Sequence, residues 1–404
     1  MKILIVSQYF WPEDFKVNDI AFDFVKKGYD VTVLTAKPNY PKGKIYEGYG
    51  LFSKRNEKHK GVKIIRSSII PRRKGGALFL GLNYLSFVFF GFLTALFRVK
   101  GSYDIVFCHL TSPITAALPA IWLKKKFKIP LVLWVLDLWP ESVENTTNIK
   151  SKRFYKYLNK LVSYIYGQSN QILVSSRYFI ESVKMKLPNQ AIPITYFPNW
   201  AEDVFVQKAD EQYQSPTLPK GFNIMFAGNI GEAQDFESII QAVKLTIKQD
   251  INWIIVGDGR KYQWLKNEIE TYKLPNITVL GRHPLNEMPS FFKKADAMLV
   301  SLKNEAIFEL TVPAKIQTYM ASGKIIIGMI NGEANQLINE SGVGYAVSAG
   351  DYESLAAIAL KVKKLSPEER QQIEACATQH YKDHFSKPKL LEKLERLLIE
   401  QTKN

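Results

Sequence analysis

The 404-residue sequence has only two cysteines, Cys108 and Cys376, far apart and in no metal or redox spacing. That excludes a disulfide-stapled scaffold and a cysteine-ligated zinc site, and it suits a reducing compartment such as the cytoplasm. Cys108 lies inside an apolar run and reads as core. No Asp-x-Asp pair occurs, so no bound metal is expected. The opening MKILIVSQYF reads as a strand and lacks the small-residue cleavage site of a signal peptide. Acidic residues are scarce in one half only. Residues 1–200 carry 30 Lys and Arg against 12 Asp and Glu, a balance of +18, and the remainder carries 24 against 26, a balance of −2. An anionic partner therefore belongs to the first half. Zinc-finger spacing and RNP-like strands are missing, so nucleic acid is not expected. The basic residues flank apolar stretches, which favours an anionic membrane surface.

What is present describes a folded protein. Hydrophobic content is 46% and charged content 23%, and the length is too great for one ordinary core, so two domains are expected. Short apolar runs at 2–7, 31–35, 62–66, 105–108, 131–135 and 171–174 read as buried strands, most of them separated by helical patterns. A polar, proline-containing stretch up to Pro219 reads as a linker. A second alternation follows, with strands at 222–227, 253–256, 277–280, 297–301 and 325–328 and helices at 236–249, 262–272, 288–294 and 314–320. Two alternations predict an α/β protein of two doubly wound, Rossmann-like sheets, the first spanning 1–200 and the second 201–385. In such sheets ligands bind beyond the carboxyl ends of the strands.

Residues 77–99 form the longest apolar run of the sequence. They are long and apolar enough to span a bilayer, bracketed by Arg72, Arg73, Lys74, Arg98 and Lys100. Spanning would place neighbouring strands of one sheet in different compartments. A helix in the plane of the interface is the cheaper reading, and a plain core helix is the alternative. Residues 150–166 interleave lysines with aromatics, which suits lipid headgroups or a solvated amphipathic face.

Three glycine-bearing loops follow successive strands of the second half. They contain Gly228, Asn229 and Gly231, then Gly257 to Lys261 with Arg260, then Gly281 and Arg282. Glycines let backbone N–H groups approach an anion. Lys315, two residues after Pro313, stands in the first turn of a helix, where its charge opposes the macrodipole; a bound diphosphate resolves that conflict.

These motifs, with KILIVSQYFWPE, PNYPKGKIYEGY, VLWVLDLWPES, FAGNIGEAQ and VPAKIQTYMASGK, cover nearly the whole chain. Together they resemble the family 4 retaining glycosyltransferases of GT-B fold, in which two Rossmann-like domains face a cleft. The resemblance is greatest to the WbuB-type L-fucosamine transferases of O-antigen assembly. It implies transfer of an N-acetylated amino sugar, N-acetyl-L-fucosamine, from a UDP-sugar to a polyprenyl-diphosphate-linked sugar. The expected location is cytoplasmic, peripheral at the inner face of a bacterial inner membrane. It further implies that a final helix within 386–404 returns to the first domain.

The resemblance assigns Gly228, Asn229 and Gly231 to the donor-phosphate loop and Lys315 to the donor-side helix start. Arg260 and Lys261 fall in the nucleotide or ribose loop, and Arg282 at the base-lining strand end. Two departures stand out. Glu232, Gln234 and Asp235 occupy positions where the family carries an Arg and a Lys, and Thr318 stands where its second glutamate is expected. In the first half, Asp137 and Glu141 follow a buried strand, where an ionised group serves no packing purpose. Asp137 is the candidate to meet the acceptor hydroxyl, His109 the alternative base, and Glu13 a candidate acceptor contact. Front-face transfer, in which the leaving diphosphate takes the acceptor proton, needs no cofactor beyond the UDP-sugar itself. An epimerase acting on UDP-N-acetylglucosamine and a non-catalytic membrane-associated scaffold are the rival readings.

Overall fold

A computed structural model of the chain describes residues 1–50, 52–73, 76–147, 149–188, 191–207 and 217–403. Lys74 and positions 208–216 of the expected linker lie outside the described residues. The chain divides into two units, Met1–Pro198 with Pro388–Asn404, and Asn199–Lys387.

Unit 1 is built on eight strands: β1 (Lys2–Val6), β2 (Asp30–Ala36), β3 (Asn56–His59), β4 (Val62–Ser67), β5 (Ile105–Leu110), β6 (Leu131–Val135), β7 (Gln171–Val174) and β8 (Ile194–Tyr196). Their order across the sheet is β3-β4-β2-β1-β5-β6-β7-β8, with β3 antiparallel to β4. The other pairings are parallel. The central strands are buried on both faces, as runs such as LVLWV and IVFCHL require. The chain winds outward from β1 through β2 and β4, then returns beside β1 as β5. The β1/β5 crevice is thus the point at which a doubly wound sheet binds its ligand.

Strand β3 carries no strand signal in the sequence, because its residues NEKH show no apolar alternation. It is an edge strand with a specific task. Arg66 on β4 is fully buried, and its guanidinium pairs with Glu57 of β3 and donates to the Trp11 carbonyl at 2.6 Å. Removing Arg66 leaves the part-buried Glu57 carboxylate unpaired, the Trp11 carbonyl without this donor and a void in place of the guanidinium. Arg66→Ala is therefore expected to cost roughly 3–5 kcal/mol, read as a lowered urea midpoint.

Helix Ala77–Phe97 matches its expected span and packs into unit 1 rather than standing apart. It is long and apolar enough to cross a membrane by length and composition alone. Asn83, Ser86, Phe87, Thr94 and Ala95 are nevertheless buried against the unit. The Asn83 side chain accepts from Gln8 at 2.8 Å and donates to the Ile70 carbonyl at 2.6 Å. The last helix, Lys387–Lys403, buries Leu390, Leu391, Leu394 and Leu398. Its Glu395 accepts from Lys27 at 2.7 Å and from the Tyr29 hydroxyl at 2.6 Å, so residues 388–404 group with unit 1.

Unit 2 holds six parallel strands: β9 (Phe222–Asn229), β10 (Ile251–Asp258), β11 (Ile277–Gly281), β12 (Ala297–Ser301), β13 (Ile325–Met329) and β14 (Gly344–Val347). Their order is β11-β10-β9-β12-β13-β14, which puts the switch point at β9/β12. Trp253, Phe226, Phe236, Ile239 and Leu355 lie in its core. Asp235 and Asp351 cap the helices Phe236–Leu245 and Tyr352–Lys364, and Ser366 with Glu369 forms a capping box at Pro367–His384.

Candidate functional site

In unit 2 the chemistry gathers where β9 and β10 end. Both strands finish in glycine conformations that side chains rarely adopt, φ +142° at Gly228 and +153° at Gly257. A Cβ at Gly257 would stand 1.8 Å from the Gly228 carbonyl oxygen, so the two backbones touch. The Ile230 amide donates to the Asp258 carbonyl at 2.9 Å, and the Lys261 amide donates to the Ile230 carbonyl at 3.0 Å. The loop after β12 joins through the Lys303 amide, which donates to the Ala233 carbonyl at 2.9 Å. Three loops are therefore one stitched platform with Gly228 and Asn229 exposed on it. Gly257→Ala is expected to cost at least about 2 kcal/mol, from the φ alone and then the clash, again read as a urea midpoint.

Beside this platform stands Lys315, in the first turn of helix Ala314–Ala321. Its Nζ would lie 3.3 Å from a Cβ at Gly228 and sits 3.8 Å from the centroid of the Phe226 ring. That nitrogen is buried and has no hydrogen-bond partner among the described residues. Burial pushes its pKa down from 10.5 to about 7. A bare ammonium at a helix start is unfavourable twice over: it is desolvated, and it opposes the helix dipole. A bound anion at the Gly228 corner relieves both.

The residues that depart from the family pattern have structural work. Gln234 accepts from the Gly231 amide at 3.1 Å, and Asp235 caps the next helix. Glu232 pairs with Lys261 at 3.3 Å and with Lys303 at 3.5 Å, while Glu237 binds Lys261 more closely. The Glu237 hydrogen bond chiefly raises the Lys261 pKa, so this cation is fixed in a network and is not free to move. Lys303, two residues past β12, was missed in the sequence; its place after a strand at the switch point is the signal that finds it.

Of the remaining predicted positions, Arg260 is exposed in the β10 loop. Arg282 is exposed beyond β11, two strands from β9 and so roughly 10 Å away by strand spacing. Thr318 is buried one turn into its helix, where its hydroxyl lies 3.4 Å from a Glu202 carboxylate oxygen and 3.3 Å from the Ala314 carbonyl.

In unit 1, His109 lies on β5 at the β1/β5 crevice, and Asp137 follows the adjacent strand β6. His109 lies within β5, not after it, and its Nδ1 is 3.1 Å from the Ser7 hydroxyl. Burial pushes its pKa down to about 3, so the ring is neutral at neutral pH and acts through hydrogen bonds. Asp137 follows β6, and both its oxygens accept hydrogen bonds, from Ser112 and Ser142. Burial raises its pKa and the hydroxyls oppose that rise. The Trp139 indole donates to Ser112 at 3.0 Å, which completes the support.

Glu141 has other hydrogen-bond partners, although its charge acts on Asp137 and adds to the rise of that pKa. It is bound by Lys186 and accepts from Ser182 at 2.9 Å, so it anchors helix Phe179–Met185. Glu13 is buried, and one oxygen accepts from the Asn39 and Tyr40 amides at 2.8 and 2.7 Å. It pins the PNYPKGKIYEGY segment, and burial raises its pKa to about 7. Arg72, expected as a flanking cation, lies under the rings of Tyr9, Tyr40 and Tyr84 at 5.1, 5.4 and 5.4 Å. Tyr84 comes from helix Ala77–Phe97 and stacks edge-on with Trp139 at 6.3 Å, beside the Asp137 network. Sequence gave no sign of this aromatic cluster.

Residues 17–202 match the family described as Glycosyltransferase Family 4, and residues 221–364 match that described as Glycosyl transferases group 1. The chain is 29% identical to the provisionally named glycosyltransferase WbjE of Pseudomonas aeruginosa, over 56% of this chain and 58% of that protein. It is 22% identical to WcaI of Escherichia coli, provisionally named a colanic acid biosynthesis glycosyl transferase, over 88% of this chain and 91% of that one. Among solved structures, sucrose-phosphate synthase from Thermosynechococcus elongatus aligns with TM-score 0.72 at 14% identity, covering 99% of this chain and 98% of that chain. HepE of Anabaena, in complex with UDP and glucose, aligns with TM-score 0.67 at 13% identity, covering 99% and 100%. At these identities the likeness is one of fold, and the fold is GT-B.

Proposed function

Because the chain belongs to the family 4 glycosyltransferases, we propose that it moves a sugar from a UDP-sugar to a polyprenyl-diphosphate-linked sugar with retention of configuration. The observation that carries this reading is the buried, unpartnered ammonium of Lys315 beside Gly228. A donor diphosphate seated there supplies the missing counter-charge. In the reaction the bond from the sugar C1 to the diphosphate oxygen breaks, and the acceptor oxygen bonds to C1 on the same face. The acceptor proton passes to the leaving diphosphate. Lys315 and the positive end of its helix stabilise the charge that grows on that diphosphate.

Asp137, held rigid by Ser112 and Ser142, orients the acceptor hydroxyl, and neutral His109 hydrogen-bonds to a sugar. The HepE complex with UDP favours a uridine nucleotide. The name of WcaI, which gives colanic acid biosynthesis, agrees with a place in polysaccharide assembly. The sugar we propose is N-acetyl-L-fucosamine, as the resemblance of the PNYPKGKIYEGY and VPAKIQTYMASGK motifs to WbuB-type transferases implies. The proposed place of work is the cytoplasmic face of a bacterial inner membrane, with no metal required.

Incubating the purified chain with UDP-sugars and polyprenyl-diphosphate-linked N-acetylglucosamine tests the reading. A lipid-extractable disaccharide diphosphate is expected, with the new linkage keeping the donor's anomeric configuration. Conversion of the donor to its epimer without acceptor, and no disaccharide, would instead support the epimerase reading.

A further inference from the structure

We infer that the face of unit 1 formed by helices Ala77–Phe97, Ala117–Phe127 and Lys152–Gly167 docks on an anionic bilayer, with Ala77–Phe97 lying in the plane of the interface. The lipid-linked-acceptor reading gives this docking its purpose; the geometry stands apart from it. Along Ala77–Phe97 the exposed residues Leu78, Leu82, Leu85, Phe89, Phe92 and Leu96 recur at alternating intervals of four and three. They form one stripe, opposite the face that buries Asn83, Phe87 and Ala95. Leu78, Leu85 and Phe89 are 71%, 65% and 61% exposed. An ordinary surface helix carries charge on this face, and the segment ALFLGLNYLSFVFFGFLTALF contains none. A continuous apolar stripe of this length marks an interaction site.

The neighbouring helices supply the complementary half of the surface. Phe92 packs edge-on against Trp122 at 5.5 Å, and the Lys126 ammonium donates to the carbonyls of Ala95, Leu96 and Val99 at 3.1, 3.1 and 2.8 Å. On the far side of Ala117–Phe127, Lys124 donates to the Gln168 carbonyl at 2.6 Å, and Lys125 lies 6.0 Å from the Tyr164 ring. The three helices are therefore side by side. Helix Lys152–Gly167 exposes Lys156, Tyr157, Lys160 and Tyr164 and contains no acidic residue. The order across the surface is an apolar stripe, then a band of lysines and aromatics, which matches acyl boundary and headgroup layer.

Charge selects the occupant. A second copy would bring a band of the same sign to the interface, whereas anionic lipid attracts each lysine. The buried polar face selects the in-plane pose. Asn83 and Ser86 are tied midway along the helix to Gln8 and to the Ile70 backbone, and spanning would strip those bonds in hydrocarbon.

Co-sedimentation of the full chain with vesicles of phosphatidylcholine, alone and mixed with phosphatidylglycerol, tests the inference. Binding to both is expected, tighter to the mixed vesicles; salt should remove that preference, and alkaline carbonate should release the chain. The Leu85→Glu/Phe89→Glu variant should lose about tenfold or more in binding to both. Lys156→Glu/Lys160→Glu should lose only the preference for anionic lipid. Leu85→Ser/Phe89→Ser, which adds no charge to the helix, should weaken binding in the same direction. Unchanged near-ultraviolet circular dichroism establishes that each variant is folded. Wild-type protein that stays in the supernatant would overturn the inference, as would carbonate-resistant binding or equal binding by the stripe variants. A lipid-free dimer dissociated by the stripe variants, without change in vesicle binding, would assign the face to a second copy. Transfer to a short-chain, water-soluble diphosphate acceptor should survive in the stripe variants. Loss of all transfer by wild type with vesicle binding intact would count against the functional reading alone.

Discussion

Lys315→Ala is expected to lower sugar transfer by roughly 10²–10³-fold, the effect of removing one preorganised charge partner of a transition-state anion. The ammonium makes no hydrogen bond within the described residues, so the fold does not depend on one. In the unfolded chain this lysine titrates near 10.5, and in the folded chain near 7. Between those values the unfolded chain holds a proton that the folded chain has given up, so stability rises with pH across the window. Below about 7 both states are charged, and the folded chain bears the full cost of a desolvated ammonium. Lys315→Met removes that cost. At pH 6 the methionine variant should be more stable than wild type by an amount on the order of a few kcal/mol, shrinking as pH rises toward 10. A variant that is both more stable and inactive marks a residue retained for ligand rather than for fold. A loss of stability at pH 6 in Lys315→Met would show that the ammonium has a partner in solution.

Asp137→Asn is expected to lower turnover by about 10²-fold or more, with UDP affinity unchanged, because the carboxylate acts on the acceptor and not on the donor. Asparagine keeps the shape and can still accept from one serine, so the fold should tolerate it. Glu141→Gln provides the contrast. Its partners are Lys186 and Ser182, and its loss should lower the urea midpoint and leave turnover per folded molecule nearly intact. Equal losses of turnover in the two variants would mean that Asp137 only positions the loop. The assay is steady-state transfer alongside UDP titration.

The parts of this fold legible in sequence are those set by local chemistry. Buried parallel strands such as Leu131–Val135 and Ile325–Met329 announce themselves as unbroken apolar runs. The three strands that escaped notice each lack that signal. Asn56–His59 is charged because it is an edge whose task is to supply Glu57 to Arg66. Ile194–Tyr196 is only three residues long, close after a proline. Gly344–Val347 begins at a glycine whose Cβ would stand 1.9 Å from the Ile326 carbonyl oxygen, a close approach no single-chain pattern reveals.

The site divides in the same way. Gly228, Gly257 and Lys315 stood out because glycines after strands and a lysine at a helix start conflict with ordinary packing. Partners distant in sequence did not. Glu141 and Lys186 are 45 residues apart, so nothing local separates an anchoring carboxylate from one poised for chemistry. The missing cations after Gly231 looked like a deficit. The fold brings Lys261 and Lys303 to that place from two other loops, with Glu232 as their common counter-ion.

Calorimetric titration of the wild-type chain with UDP at pH 8, in buffers of differing ionisation enthalpy, tests most directly whether Lys315 is the donor's seat. At that pH the unliganded ammonium, with its pKa near 7, is largely deprotonated, and a diphosphate must recharge it on binding. The account predicts uptake of about one proton per UDP bound, disappearing in Lys315→Arg, whose guanidinium is charged throughout. Tight UDP binding with no proton uptake by wild type would contradict it.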